Sequence, residues 1–224
     1  MRIKEHKLKG IYFTDGKRKK FLTKNLVKGK SVYGEDLIRD GGAEYRLWDP
    51  QRSKLGAGLV KGVSQIGIYP GSIVLYLGAS TGTTVSHVSD IVGPEGFVFA
   101  LDFAPRTTRE LVFLCEDRKN VMPILADASQ PKTYLHLMSS VDCVFQDVAQ
   151  RNQTEIFMKN CKTYLKKEGF GIYAVKSRSI DVARKPRQVF REVREELEKT
   201  LVVVDFKELD PLEKDHCVFV VKKK

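Results

Sequence analysis

The sequence predicts an α/β fold: a doubly wound, mostly parallel sheet with an antiparallel last strand, preceded by a small β-rich unit. Three observations carry that prediction. From Tyr69 onward, short apolar runs of strand character alternate with segments of helical period. The last two strand-like runs, 201–209 and 216–221, are joined by a turn at Asp210-Pro211 that is too short for a crossover helix. The first fifty residues hold β-prone runs and turn dipeptides instead of long helical patterns. The boundary is placed at Trp48-Asp49-Pro50, so residues 1–50 form the small domain and residues 51–224 the larger one.

In order along the chain, Ile11-Tyr12-Phe13-Thr14 is β-prone and Asp15-Gly16 is a hairpin-type turn. Phe21-Leu22-Thr23 and Ser31-Val32-Tyr33 continue the antiparallel unit on either side of Lys28-Gly29-Lys30. A helix is expected from Gln51, because Leu55, Leu59, Val63 and Ile66 recur at helical spacing. Its glycines, Gly56, Gly58 and Gly62, weaken it or permit close packing. Strands are expected at 72–77, 97–102, 121–125, 141–145 and 170–175. Between them come a Gly-rich loop with a helix reaching Ile91, a helix over 107–117, a short helix reaching Met138 and a helix over 153–165. Gly93-Pro94-Glu95-Gly96 and Lys167-Glu168-Gly169 supply turns. Residues 184–200 are amphipathic, with Val189, Val193 and Leu197 every four residues, and are expected to cover the sheet.

The 224 residues include 39 Lys+Arg against 28 Asp+Glu, a formal net charge of +11, with 42% apolar and 9% aromatic residues. That balance excludes a disordered tail, a collagen-like chain and a membrane span, and the length fits one large domain with a small appendage. The start, MRIKEHKLKG, lacks the apolar core of a signal peptide, so the expected location is the cytoplasm, and Asn152-Gln153-Thr154 is read as a chance sequon. Cys115, Cys143, Cys161 and Cys217 form no CxxC pair and are expected to be reduced thiols, with no metal site. The charge is local: residues 1–30 carry eleven Lys/Arg and two acids, leaving only +2 for residues 31–224. A basic cluster of this kind suits a polyanion such as nucleic acid; a solvated charged face is the alternative.

In an open α/β sheet, ligands bind beyond the carboxyl ends of the strands. The first such junction reads Gly78-Ala79-Ser80-Thr81-Gly82-Thr83-Thr84. Its glycines allow a tight turn and close backbone approach, while Thr83 and Thr84 offer hydroxyls and helix N-terminal N–H groups. No Gly-Lys-Ser/Thr follows, and no GxGxxG is present, so neither a P-loop nor a dinucleotide fingerprint is indicated. The second strand ends in Asp102-Phe103, where a carboxylate suits both ribose hydroxyls of a nucleoside. The third ends at Asp127-Ala128, suited to an adenine amino group, and the fourth at Asp147-Val148-Ala149-Gln150. One such acid is an ordinary helix cap. The whole series, with no phosphate-binding cation beside the first loop, points to a phosphate-free nucleoside such as S-adenosylmethionine.

The loop 78–90, together with Asp102-Phe103-Ala104-Pro105-Arg106, Asp127-Ala128, Asp147 to Gln150 and Glu213-Lys214-Asp215-His216, resembles the fibrillarin family. Upstream, residues 26–35 and Trp48 to Leu55 match too, so the likeness spans nearly the whole chain. A Gly/Arg-rich N-terminal extension is not seen, which makes the archaeal form the expectation. The resemblance implies a Rossmann-like class I methyltransferase sheet behind a small N-terminal β-rich domain. It also implies S-adenosylmethionine-dependent 2′-O-ribose methylation of rRNA or tRNA, as the catalytic subunit of a box C/D guide ribonucleoprotein. The implied partners are the guide RNA and target RNA, a Nop-domain scaffold protein and a kink-turn-binding ribosomal-type protein, with no membrane. The second-strand acid, often Glu in the family, is Asp102 here, a carboxylate of shorter reach.

The family's catalytic set carries over to Lys54, Asp147, Lys176 and His216. Lys176 or Asp147 then takes the proton of the attacking ribose hydroxyl, and the sequence leaves that choice open. Lys54, Arg178, Arg184 and Lys185 are expected to meet RNA at the catalytic edge, while the basic N-terminus, notably residues 17–20, helps to dock the ribonucleoprotein. Two alternatives share the motifs: a protein (glutamine) methyltransferase using the same cofactor site, and a non-catalytic ribonucleoprotein subunit.

Overall fold

The structure, a computed structural model, describes residues 2–16 and 19–224; Lys17 and Arg18, part of the expected docking cluster, lie outside the described residues. Five antiparallel strands come first: β1 (Ile3–Glu5), β2 (Ile11–Thr14), β3 (Phe21–Lys24), β4 (Leu37–Asp40) and β5 (Ala43–Leu47), in the order β1-β2-β3-β5-β4. Ser31-Val32-Tyr33 is not a strand. The Glu35 carboxylate accepts from the amides of Val32, at 3.0 Å, and Tyr33, at 2.8 Å, which takes those donors away from any ladder. Strand β5 escapes a hydrophobicity pattern because its buried positions are Glu44 and Arg46.

The larger sheet holds β6 (Ile73–Leu77), β7 (Phe97–Asp102), β8 (Val121–Leu125), β9 (Val141–Gln146), β10 (Leu165–Lys176), β11 (Leu201–Glu208) and β12 (His216–Lys223), in the order β11-β12-β10-β9-β6-β7-β8. The pairs from β10 to β8 are parallel, and β12 is antiparallel to both its neighbours, the predicted architecture. The chain leaves β6 toward β7 and β8, then returns to β9 on the other side. That reversal opens a crevice beyond the carboxyl ends of β6 and β9.

The helices are α1 (Lys54–Val60), α2 (Thr83–Val92), α3 (Pro105–Asp117), α4 (Gln153–Tyr164), α5 (Ser177–Ile180) and α6 (Pro186–Glu198), with a 3₁₀ segment at Pro131–Leu137. The first helix is shorter than predicted. It stops after Val60, Gly62 turns at φ 76°, and Val63 and Ile66 are buried in irregular chain beyond it. Their spacing reflects burial, not helical period. The predicted turn at Lys167-Glu168-Gly169 falls inside β10 as an irregularity, where Glu168 has φ 64° and the register with β9 shifts. Residues of α6 pack against the sheet through Val189, Phe190, Val193 and Leu197, so this helix covers it.

One face of the large sheet carries α4 and α6; the other carries α1, α2 and Leu111 of α3, and its apolar layer continues into Leu8, Ile11, Phe21 and Trp48 of the N-terminal region. The seam between the sheets is polar and buried. Arg46, with no exposed surface, bonds Glu35 at 2.5 Å, Asp90 at 2.8 Å and Ser86 at 2.8 Å. Arg118 reaches the other Asp90 oxygen at 2.6 Å, and the Thr23 hydroxyl donates to Asp90 at 2.7 Å. Since that hydroxyl proton is committed, His87 Nδ1–H donates to Thr23 Oγ1 at 2.8 Å, and the imidazole stacks on Trp48 with centroids 4.6 Å apart. Asp90, Ser86 and His87 all belong to α2, so the N-terminal sheet grips the helix that follows the Gly-rich loop.

Candidate active site

The Gly-rich loop turns sharply as it leaves β6. The amides of Gly78 and Ala79 both donate to the Leu101 carbonyl at 2.9 Å, and Asp147 N–H donates to Leu77 O at 2.9 Å. Gly78 has φ 83°, and a Cβ there would collide with the Asp147 carbonyl oxygen, so the two junctions touch through bare backbone. Beside them lies a cleft of about 260 Å³ lined by Gly78, Ser80, Leu101, Asp102, Phe103, Ala128, Asp147, Val148, Ala149 and Gln150. Its charged lining is two carboxylates and no cation. That chemistry fits a cationic or neutral nucleoside and disfavours a phosphate. Asp102 also ties the rim together: one oxygen accepts from Ser80 N–H at 2.7 Å, the other from Ala104 N–H and the Thr107 hydroxyl, both at 2.9 Å. Phe103 stands 66% exposed at the mouth.

Four expected cofactor residues are not in that lining. Ala79 is buried beside Gly78, and exposed Asp127 uses a carboxylate oxygen to accept from Ser129 N–H at 2.8 Å. Thr83 lines a neighbouring groove with Arg52 and Arg106. Thr84 is 8% exposed and its hydroxyl donates to Ser53 Oγ at 3.0 Å. Ser80 and Leu101 join the lining without having been expected; Ser80 lies within the motif and was the signal for itself.

Residues 3–224 match the family described as Fibrillarin. The chain belongs to the fibrillarin family. It is 52% identical over 223 residues, 99% of this chain and 98% of the relative, to the fibrillarin-like rRNA/tRNA 2′-O-methyltransferase of Pyrococcus abyssi. It superposes with TM-score 0.90 on Aeropyrum pernix fibrillarin, a structure with natively bound S-adenosyl-L-methionine, at 40% identity over 99% of this chain and 98% of that one. It also superposes with TM-score 0.87 on a fibrillarin chain from a fibrillarin/Nop5p complex, at 38% identity over 99% of this chain and 100% of that one.

The fibrillarin chain brings its expected catalytic residues to the carboxyl edge of the sheet. Lys54 opens α1, and its Nζ lies 3.0 Å from Asp147 Oδ1 and 3.1 Å from Oδ2, with the two side chains 23% and 21% exposed. Lys176 ends β10 and is exposed; its register partner on β12 is His216. Lys54, not Lys176, is the cation bonded to Asp147. His216 Nδ1–H donates to the Lys214 carbonyl at 2.7 Å. Burial lowers the His216 pKa below 6.5, with the Lys54 charge adding to it against the Lys214 carbonyl, Glu213 and Asp147. The ring is therefore neutral at pH 7, with its lone pair on Nε2. Tyr76, fully enclosed near Asp147 and Thr84, stays a neutral phenol: burial first, then the Asp147 carboxylate, push its pKa well up.

Sequence reasoning missed Gln153. Fully buried at the start of α4, it accepts from Lys176 N–H at 3.2 Å and donates to the Lys176 and Gln150 carbonyls at 3.3 and 2.9 Å. No sequence signal marks an amide that clamps backbone. The basic loop is largely self-paired. Arg178 bonds Asp215 at 3.0 Å and Val182 O at 2.7 Å, Arg184 bonds Asp181 at 2.9 Å and also Glu192, and Lys185 is exposed. Among the described residues, no helix is long and apolar enough to cross a membrane.

Proposed function

We propose that this fibrillarin-family chain, an S-adenosylmethionine-dependent rRNA and tRNA 2′-O-methyltransferase, works as the catalytic subunit of a box C/D guide ribonucleoprotein in an archaeal cytoplasm. The observation that carries the reading is Asp147, which both lines the acidic cleft and pairs with Lys54. S-adenosylmethionine, when bound, supplies an electrophilic methyl group on a sulfonium centre. Asp102 would hold ribose hydroxyls, Phe103 would cover the base, and Ala128 and residues 147–150 would hold the rest from the opposite wall. Gly78, Ala79, Thr83 and Thr84 would contribute chiefly backbone, and Asp127 a carboxylate at the outer edge.

Lys54 holds the Asp147 carboxylate in place, and the pair presents a fixed polar wall to the target ribose. Lys176, whose ammonium bonds nothing among the described residues, orients the 2′-hydroxyl. The hydroxyl proton passes to the Asp147 carboxylate, which lines the cleft, and then to water. Positioning of the ribose supplies several kcal/mol of the rate enhancement, on the order expected for well-oriented reactants. The guide RNA pairs with the target, so pairing reads sequence and the protein reads backbone.

Residues 1–50 serve as the docking domain and residues 51–224 as the methyltransferase domain. A Nop-domain scaffold and a kink-turn-binding ribosomal-type protein are the proposed partners; the fibrillarin/Nop5p complex of a relative supports the first. Lys54, Arg178, Arg184 and Lys185 contact RNA, the two arginines by exchanging their present acidic partners for phosphates. The test is labelled methyl transfer in the reconstituted ribonucleoprotein with and without guide RNA. Label on target ribose only when the guide is present supports the reading. Label on protein glutamine instead of ribose overturns it. An alkaline limb in the pH–rate profile that is lost in Lys176→Met would move the proton from Asp147 to Lys176.

A further inference from the structure

Helix α1 is a poor helix that must place a side chain accurately. It has seven residues, two of them the interior glycines Gly56 and Gly58. A helix this short is marginal alone, and each glycine costs about 1 kcal/mol against alanine. Yet its first residue is Lys54, whose four-carbon side chain must reach Asp147 across 93 positions of chain. Something outside α1 has to fix its first turn.

Leu55, Ala57 and Leu59 seat the helix in the core, and two further contacts act at its first turn. Gly56 packs against the Trp48 indole, where a Cβ would lie 3.0 Å from the ring. The other is polar. Ser53 is the N-cap: its Oγ accepts from Gly56 N–H at 3.1 Å, and its carbonyl accepts from Ala57 N–H at 2.8 Å. Those bonds shape the turn, and core packing fixes its apolar face, but neither ties its polar start to α2. The Thr84 hydroxyl, donating to the same Ser53 Oγ at 3.0 Å, does. Both residues are buried, at 3% and 8% exposure. Thr84 sits in the first turn of α2, the helix that Arg46, Thr23 and Arg118 hold through Ser86, His87 and Asp90.

We propose that Thr84 is a positioning residue whose hydroxyl, through Ser53, docks the first turn of α1 and so sets the Lys54–Asp147 pair. It joins the helix behind the cofactor loop to the catalytic lysine. The proposal rests on the reading that Lys54 and Asp147 serve methyl transfer. It also separates Thr84 from Thr83 and from the cleft lining: the Thr84 side chain serves the pair, not the cofactor.

The test compares Thr84→Val, Thr84→Ser and Ser53→Ala in the full ribonucleoprotein. Thr84→Val should lower kcat about tenfold, with the KM for target RNA and the Kd for S-adenosylmethionine within about twofold of parental. Thr84→Ser, which keeps the hydroxyl, should restore most of the rate. In the cofactor-free protein, amide exchange at Gly56 should speed up in Thr84→Val and not in Thr84→Ser. If Thr84→Val fails to fold, Ser53→Ala carries the test with the same expected kcat loss at parental cofactor affinity. The double variant should be no slower than the slower single, because both remove one interaction. A weakened cofactor Kd with unchanged kcat would place the hydroxyl in the cofactor site and overturn the proposal, as would unchanged kcat and unchanged exchange. Lys54→Ala at parental rate would instead sink the catalytic reading itself, while the exchange result would stand apart from it.

Discussion

The cleft and the seam between the two sheets are built on opposite plans. The cleft is assembled from short runs of consecutive residues at strand ends, with bare backbone at Gly78 and carboxylates at buried Asp102 and half-buried Asp147. The seam is assembled from single side chains drawn from β3, β5, α2 and the end of α3, all buried, each bonded to partners tens of residues away. The cofactor cleft thus sits where the chain is locally organised, whereas the seam and the Lys54–Asp147 pair come from where it is not. Changes in the seam should damage stability and spare cofactor affinity; changes in the cleft should do the reverse.

The largest expected effect is in the seam. Arg46→Met leaves Glu35 and Asp90 buried beside a lost partner and should lower unfolding stability by about 3–5 kcal/mol in denaturant titrations. The folded fraction should bind S-adenosylmethionine normally; a stability loss under about 1 kcal/mol would break the comparison. Next comes Gly78→Ala, which drives a methyl into the Asp147 carbonyl at a left-handed φ. It should weaken cofactor binding about tenfold or more by calorimetry, through the displaced wall, and unlike side-chain changes in the cleft it should also lower stability, by about 1–2 kcal/mol for the strained φ. Lys176→Met should slow guided methylation about tenfold and leave the melting temperature within a degree or two, since its side chain is exposed.

The smallest effect is on pH. Burial pushes the His87 pKa well below 6.5, with Arg46 and Arg118 adding to it, and burial also lowers His216 and His6. Below pH 6.5 the unfolded chain takes up protons that the native imidazoles refuse, so their contribution to stability falls as pH drops from 6.5 and is constant above it. This loss precedes the one from carboxylates such as Glu44 and Asp181, whose lowered pKa values delay theirs to stronger acid. In His87→Asn the fall between pH 6.5 and 5 should be shallower; an unchanged slope would show that His87 is not held neutral.

The same division explains what could be read from the sequence. The parallel sheet, its antiparallel last strand and the four strand-end junctions around the cleft were legible because each is a local pattern: an apolar run, then a glycine or an acid. Lys54 entered the catalytic set only through resemblance, and its pairing with Asp147 was not legible at all, since 93 residues separate them and no spacing rule spans that distance. Strand β5 was invisible because its inward residues are charged and become core only when Asp90 and Glu35 meet Arg46. The overlong first helix has the converse cause: Val63 and Ile66 are apolar at helical spacing but are buried by the fold around them. Thr84 read as a cofactor ligand because it sits in the motif, whereas tertiary packing turns its side chain to Ser53.

The account stands on the Lys54–Asp147 pair at the cleft. Single-turnover methylation of a guided target RNA by Lys54→Ala, with cofactor affinity measured on the same preparation, tests it most directly. The predicted result is a rate lower by about 10²–10³ at near-parental S-adenosylmethionine affinity, the loss typical of removing a preorganised charged group. A parental single-turnover rate would contradict the account.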